Sequence, residues 1–136
     1  MFYFDPTIID RIARVRLSCP GQMISLNLND YRMLIADCDA VCAVRVKSED
    51  SFPDFLSGLR TELYNAQSAI DDPKGVLIHL LAHPDADVTM ENYQALNRLV
   101  CEMFGESANY KVGFACDNDL PAGHKDIMVF ISGEQY

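Results

Sequence analysis

A chain of 136 residues, 49% of them apolar, is long enough to bury roughly two thirds of its extended surface and needs no metal or disulfide to fold as one unit. Its formal charge of −9, from 20 acidic and 11 basic residues with no window rich in Lys or Arg, excludes nucleic acid and anionic membrane surfaces as expected partners. No stretch approaches the ~18 apolar residues of a membrane span, and MFYFDP has no basic region leading into an apolar run, so a cytoplasmic protein is expected.

Asp5-Pro6 places an acid at a cap and a proline at the first helical position, which predicts a helix over about residues 6–17. Ile8, Ile9, Ile12, Val15 and Arg16 recur along it at helical spacing, and Ser18-Cys19-Pro20-Gly21 breaks it. The preceding Phe2, Tyr3 and Phe4 are read as cover for core. Gln22 to Leu28 is ambiguous between strand and loop. Asn29 or Asp30 then caps a short helix through Tyr31 to Ala36, and small and β-branched residues predict a buried strand over Ala40–Val46.

Pro53 sits early in the next helix, over about residues 52–69, whose apolar stripe is Phe52, Phe55, Leu56, Leu59, Leu63 and Ala66. GVLIHLLA from Gly75 is the least broken apolar run of the chain, a central strand that needs cover on both faces. The polar turn HPDAD follows. Thr89 or Asp87 then caps a helix carrying Met90, Tyr93, Leu96, Leu99 and Val100. Asn109–Cys116 and Asp126–Ser132 read as two further strands. Helices between the first three long strands imply parallel neighbours, and the last two strands are placed for an antiparallel hairpin. The expected class is α/β with some two-layer α+β character, a four-stranded mixed sheet with helices packed on it.

Chemistry-bearing motifs are few. Neither GxGxxG nor GxxxxGK[ST] occurs, so a nucleotide site is not expected, and no Ser or Cys has a base at a motif spacing. Cys19, Cys38, Cys42, Cys101 and Cys116 form neither a zinc knuckle nor a CxxC and read as reduced, buried small hydrophobes, Cys38 and Cys42 sharing a face only if a helix runs so far. No metal and no cofactor are expected. His79 reads as a satisfied histidine within the central strand. His83 with Asp85 and Asp87 is ordinary turn chemistry, with a loop cation as the alternative. If the loops gather at one sheet end, His79, His83, Asp85, Asp117 and His124 form a candidate ligand site, because loops at the carboxyl ends of strands are the usual place for a ligand in α/β units.

Several stretches taken together resemble FtsZ, the bacterial tubulin-like cell-division GTPase, in its C-terminal half. GVLIHLLAHPD resembles that family's GVL-[IV]-N-[IV]-TGGPD strand and turn, NYKVGFACDNDL its NIIFG strand and loop, and DIMVFISG its closing V-x-V-T-V-I-A-T-G strand. IARVRLSCPGQMISLNLNDYRMLIADCDAVCAV resembles the end of the long core helix, its PG break, the loop carrying NxDxxD, and the helix and strand beyond. The likeness spans about residues 12–133. It divides the chain into residues 1–22, an N-terminal helix and linker, and 23–136, an FtsZ C-terminal-like domain.

What the resemblance implies is a small α/β domain that in FtsZ packs beside the GTP-binding domain and inserts its NxDxxD loop into the next subunit's GTP site. Position by position, the loop's Asn falls on Ser25, its first Asp on Asn27 and its second on Asp30, with one extra residue between Gly21 and Asp30. Only Asp30 keeps its type, and an asparagine is neither a carboxylate base nor an anion for a metal. The TGGP turn is replaced by Leu81-Ala82-His83-Pro84, and the glycine-rich tubulin signature has no counterpart within the sequence. No catalytic residue and no intrinsic GTPase activity are therefore expected. The implied role is a non-enzymatic interaction or self-assembly module, an oligomer or a partner of a tubulin/FtsZ-like GTPase, with helix 6–17 and the Phe-Tyr-Phe segment as contact elements. The alternative is a small-molecule-binding domain or enzyme built on the loop-end His and Asp residues.

Overall fold

The computed structural model describes residues 2–18, 22–24, 26–36, 38, 40–105 and 108–135. Ten elements follow in order: β1 (Phe2–Tyr3), α1 (Pro6–Arg16), β2 (Gln22–Ile24), α2 (Leu28–Ile35), β3 (Ala40–Ser48), α3 (Phe52–Gln67), β4 (Ile70–Ala82), α4 (Met90–Phe104), β5 (Asn109–Cys116) and β6 (Lys125–Gln135). The strands form one mixed sheet in the order β1-β3-β6-β4-β5-β2. All four expected strands form. The short β1 and β2 add an edge beyond β3 and beyond β5, so β1, α1 and β2 belong to the same sheet domain as the rest.

The alternation of β4 sorts its side chains between two cores. Val76, Ile78 and Leu80 meet Phe52, Phe55, Leu59 and Leu63 of α3 and Leu96, Leu99 and Val100 of α4. Leu77 meets Ile9, Ala13 and Leu17 of the α1 segment and Tyr31 of α2. Helices thus cover both faces, giving three layers, which is what a central strand apolar on both sides requires.

Two expectations about strand pairing are overturned. β5 and β6 do not pair as a hairpin. β6 lies between β3 and β4, antiparallel to both, and β4 pairs β5 in parallel. β3 and β4 run in the same direction but are separated by β6. The reason is side-chain chemistry. Residues Ile127, Val129 and Ile131 fill one core and Met128 and Phe130 the other, all fully buried, so β6 belongs in the interior. β5 begins with the exposed Asn109 and Lys111 and tolerates a place nearer the edge.

The helix ends show local chemistry at work. Asp5 accepts the Thr7 N–H at 2.9 Å with Pro6 inside the first turn of α1. Thr89 accepts the Asn92 N–H and caps α4, which stops at Gly105 with φ 76°. Ser51 precedes α3 without a side-chain cap bond. The Phe52 N–H donates instead to Asp87 Oδ2 at 2.9 Å, from the β4–α4 loop. Asp87 Oδ1 receives Lys125 Nζ at 2.7 Å, and that fully buried ammonium also donates to the Asp50 carbonyl. Asp87 therefore acts at a distance as a cap for α3 and as counter-ion for Lys125, rather than as a cap of α4.

Candidate functional site

The outer face of α1 is the first feature that the core does not explain. The sequence offers two overlapping apolar stripes on this helix, and only one goes inside. Ile9, Ala13, Arg16 and the following Leu17 are buried. Ile8 remains 42% exposed and Val15 71%, with Phe4, just ahead of the helix, at 56%. At 3.6 residues per turn, Ile8, Ile12 and Val15 fall within about 60° of arc, beside the buried face. Of the residues at helical spacing, Ile9 and Arg16 thus go inside and Ile8 and Val15 stay outside. The Phe-Tyr-Phe segment divides in the same way: Phe2 and Tyr3 are half-buried in β1, while the Phe4 ring stacks on Phe2 at 5.9 Å and faces outward. Arg14, bonded to Asp10 at 2.7 Å, stands on the exposed side of the same helix.

The inner face of α1 carries a buried polar network. Arg16 donates from NH1 to Asp126 Oδ1 at 2.8 Å, from NH2 to the carbonyls of Asp126 and His79, and from Nε to His79 Nδ1 at 3.2 Å. Arg45 grips the same Asp126 carboxylate with Nε at 3.1 Å and NH2 at 2.7 Å. Burial raises the Asp126 pKa, but the bonds and charges of Arg45 and Arg16 outweigh it and hold the carboxyl below its ordinary value. His79 is the reverse case: burial first, then the Arg16 charge, push it down to about 3, so it is neutral. Its Nδ1 accepts from Arg16, which assigns the proton to Nε2, and that atom makes no hydrogen bond among the described residues. The network pins α1 to β4, β6 and β3 at once. Of its members, Arg16 carried a sequence signal by its place in the helical stripe and His79 by its place inside the central strand; Asp126 and Arg45 carried none.

The residues aligned with the NxDxxD loop have structural partners. Ser25 lies outside the described residues. Asn27, not Asn29 or Asp30, is the N-cap of α2: its Oδ1 accepts the Asp30 N–H at 3.0 Å, and Asp30 Oδ2 accepts the Asn27 N–H at 2.9 Å, a reciprocal capping box. Asp30 Oδ1 takes Lys111 Nζ at 2.8 Å. The Asn27 backbone bond, then Lys111, lower the Asp30 pKa. Both carboxylate oxygens are thus engaged inside this chain. Asn27→Ala is expected to cost about 0.5–2 kcal/mol in unfolding free energy, read from urea denaturation. A variant that unfolds at the wild-type midpoint would overturn the capping role.

The loops after β3, β4 and β5 do gather at one end of the sheet. The His83 N–H donates to the His124 carbonyl at 3.0 Å and the Asp117 N–H to the Ala82 carbonyl at 2.9 Å. Each side chain has a local task there. His83 Nδ1 accepts the Asp85 N–H at 3.1 Å, Asp117 Oδ1 accepts the Asp119 N–H at 2.9 Å, and His124 Nε2 lies 3.2 Å from Glu49. His79 is not part of this group, being buried against Arg16 inside the sheet. Among the described residues no group of three or more His, Cys, Asp or Glu side chains is arranged to hold a metal ion. The cysteines do not share a fate: Cys42 is buried in β3, its thiol pushed up to about 12 by burial, Cys38 precedes that strand rather than sharing a helix face with it, Cys101 is exposed, and Cys19 lies outside the described residues. No described helix is long and apolar enough to cross a membrane.

A three-layer α/β domain with a parallel β4–β5 pair, an inserted antiparallel β6 and a helix leading in from outside is a specific arrangement, and solved structures contain it. FtsZ from M. jannaschii, in an empty dimer, matches with a TM-score of 0.67 at 17% identity, over 93% of this chain and 38% of the FtsZ chain. A mutant of M. jannaschii FtsZ matches with a TM-score of 0.66 at 16% identity, over the same shares. No protein-family model matches the chain, and no curated protein matches it. The fold is FtsZ C-terminal-domain-like, and the chain spans 38% of the length of the FtsZ structures it matches.

Proposed function

We propose that this chain is a non-enzymatic interaction module whose contact element is the outer face of α1 with Phe4 before it. The observation that carries this reading is the apolar stripe of Phe4, Ile8 and Val15, left exposed on a helix that is otherwise tied firmly to the sheet. A soluble domain gains nothing by exposing such a stripe unless a partner covers it. The sequence resemblance supplies the kind of partner: in FtsZ the corresponding domain packs beside the GTP-binding domain. A second copy of this chain or a tubulin/FtsZ-like GTPase is the proposed occupant.

Catalysis in trans is not part of the proposal. Asn27 and Asp30 serve as a cap, and both Asp30 oxygens already have donors. The loop-end reading has less support, because none of His83, Asp85, Asp117 or His124 lines the cavities of about 390, 260 and 500 Å³ among the described residues.

Sedimentation velocity over a wide concentration range, with and without GTP and with and without an added FtsZ, tests the proposal. The expected result is a concentration-dependent complex, alone or with FtsZ, that GTP does not alter for this chain by itself. Val15→Glu places a charge in the stripe and is expected to weaken the complex by at least about tenfold, with the melting temperature unchanged because Val15 is outside the core. A wild-type chain that stays monomeric and ignores FtsZ, or a complex indifferent to Val15→Glu, would sink the assignment of α1.

A further inference from the structure

We propose that the cavity between the C-terminal half of α2 and the first residues of β4 and β5 binds a small amphipathic carboxylic acid. The cavity measures about 390 Å³, within the range of small-molecule sites. It lies on the α2 side of the sheet, away from the stripe on α1 and from the loop-end histidines. Met33, Leu34 and Leu77 give it an apolar lining that suits a hydrocarbon body.

Two polar features define the rest of the ligand. Ser132 of β6 lines the cavity, and its hydroxyl is fully buried with no hydrogen bond among the described residues. An orphaned buried hydroxyl is costly in an empty site and is satisfied by a ligand atom that donates or accepts. Gly75 stands opposite Ser132 in the β4–β6 register. A Cβ on Gly75 would come within 3.0 Å of Ser132 Oγ and 2.7 Å of Leu34 Cδ1. The missing side chain therefore lets Leu34 and Ser132 close over β4 and form one wall of the cavity. Charge supplies the second feature. Lys74 and Lys111 line the cavity against the single carboxylate of Asp30, so the lining carries a net positive charge in a protein of net charge −9. Lys74 pairs with Asp72 through side chains more than half exposed, an ion pair worth little in water and readily exchanged for a ligand carboxylate. Lys111 is held by Asp30 at 2.8 Å, which fixes its ammonium at the cavity.

The test uses ¹⁵N-labelled protein titrated with hexanoate and with benzoate, with hexanamide as the uncharged counterpart. Saturable shifts are expected at the amides of Gly75, Lys111 and Ser132, at concentrations below about 10 mM. Hexanamide is expected to bind at least about fivefold more weakly, and the Lys74→Ala/Lys111→Ala double variant to lose the difference between acid and amide. Gly75→Val fills the cavity and is expected to abolish the shifts. Should that variant not fold, Ser132→Ala takes its place: removing the orphaned hydroxyl leaves the melting temperature unchanged or higher while weakening both acids. Absence of localised shifts, equal binding of acid and amide, or acid binding untouched by the lysine substitutions overturns the proposal.

Discussion

Asp126→Ala is expected to lower the unfolding free energy by about 3–5 kcal/mol, the range for stripping one member from a buried ion pair. The wild-type carboxylate bonds two guanidinium groups, and Arg16 is only 3% exposed. Without Asp126 the Arg16 charge stays in the core with backbone carbonyls and neutral His79 for company, and Arg45 adds a second positive charge at the same place. Asp126→Asn keeps an acceptor oxygen but no charge and is expected to fall between the variant and the wild type. Chemical denaturation at pH 7 reads both. A loss below about 1 kcal/mol in the alanine variant would place this carboxylate with ordinary surface pairs. It would also remove the reason for calling α1 a fixed platform. The rigidity of that platform matters to function: a stripe on a helix anchored to three strands presents Ile8 and Val15 in one geometry, which lowers the entropy lost when a partner docks.

How far the sequence foretold this molecule depends on the range of the interactions involved. β4 was legible because GVLIHLLA is apolar on both faces, and only a strand covered on both sides satisfies it. α3 and the Thr89 cap of α4 were legible because their signals lie within a few residues of each other. The position of β6 was not, because placing it between β3 and β4 depends on pairing across many residues, and local pattern says only that it is buried. Arg16 and Asp126 are 110 positions apart, so no spacing rule connects them. α1 was legible only in part. Ile8, Ile9, Ile12, Ala13 and Val15 form an arc too wide for one helix face against the sheet, and periodicity cannot say which edge of the arc stays outside. That surplus is itself the legible part of the candidate site. The capping box was also present as Asn-x-x-Asp from Asn27 to Asp30, a local signal hidden by placing the cap two or three residues too late, at Asn29 or Asp30. The cavity at Ser132 had no sequence signature, since it arises where α2, β4, β5 and β6 meet.

The second large effect expected of the same network is a loss of stability in mild acid that has His79 as its origin. In the unfolded chain His79 titrates near its ordinary value of 6.5, whereas in the fold burial and the Arg16 charge hold it at about 3. Its folded pKa is thus depressed. As pH falls below 6.5 the unfolded state takes up a proton that the folded state refuses, so stability declines at about 1.4 kcal/mol per pH unit until the folded group itself protonates. Between pH 6.5 and 4.5 this histidine is expected to remove about 2 kcal/mol. The lowered carboxyl groups of Asp126 and Asp87 act in a different window. Their stabilisation is complete above the ordinary carboxyl value of 3.8 and is lost only as pH falls through their lower folded values. Unfolding free energies from urea at pH 7, 6.5, 5.5 and 4.5 separate the two. Wild type is expected to slope downward across the interval, and His79→Gln, which has no proton to gain and still offers Arg16 an acceptor oxygen, to lack most of that slope. If the two slopes coincide, His79 carries its proton in the fold. The bond from Arg16 Nε to Nδ1 would then have to break, and the anchoring of α1 would rest on Asp126 and the carbonyl oxygens alone.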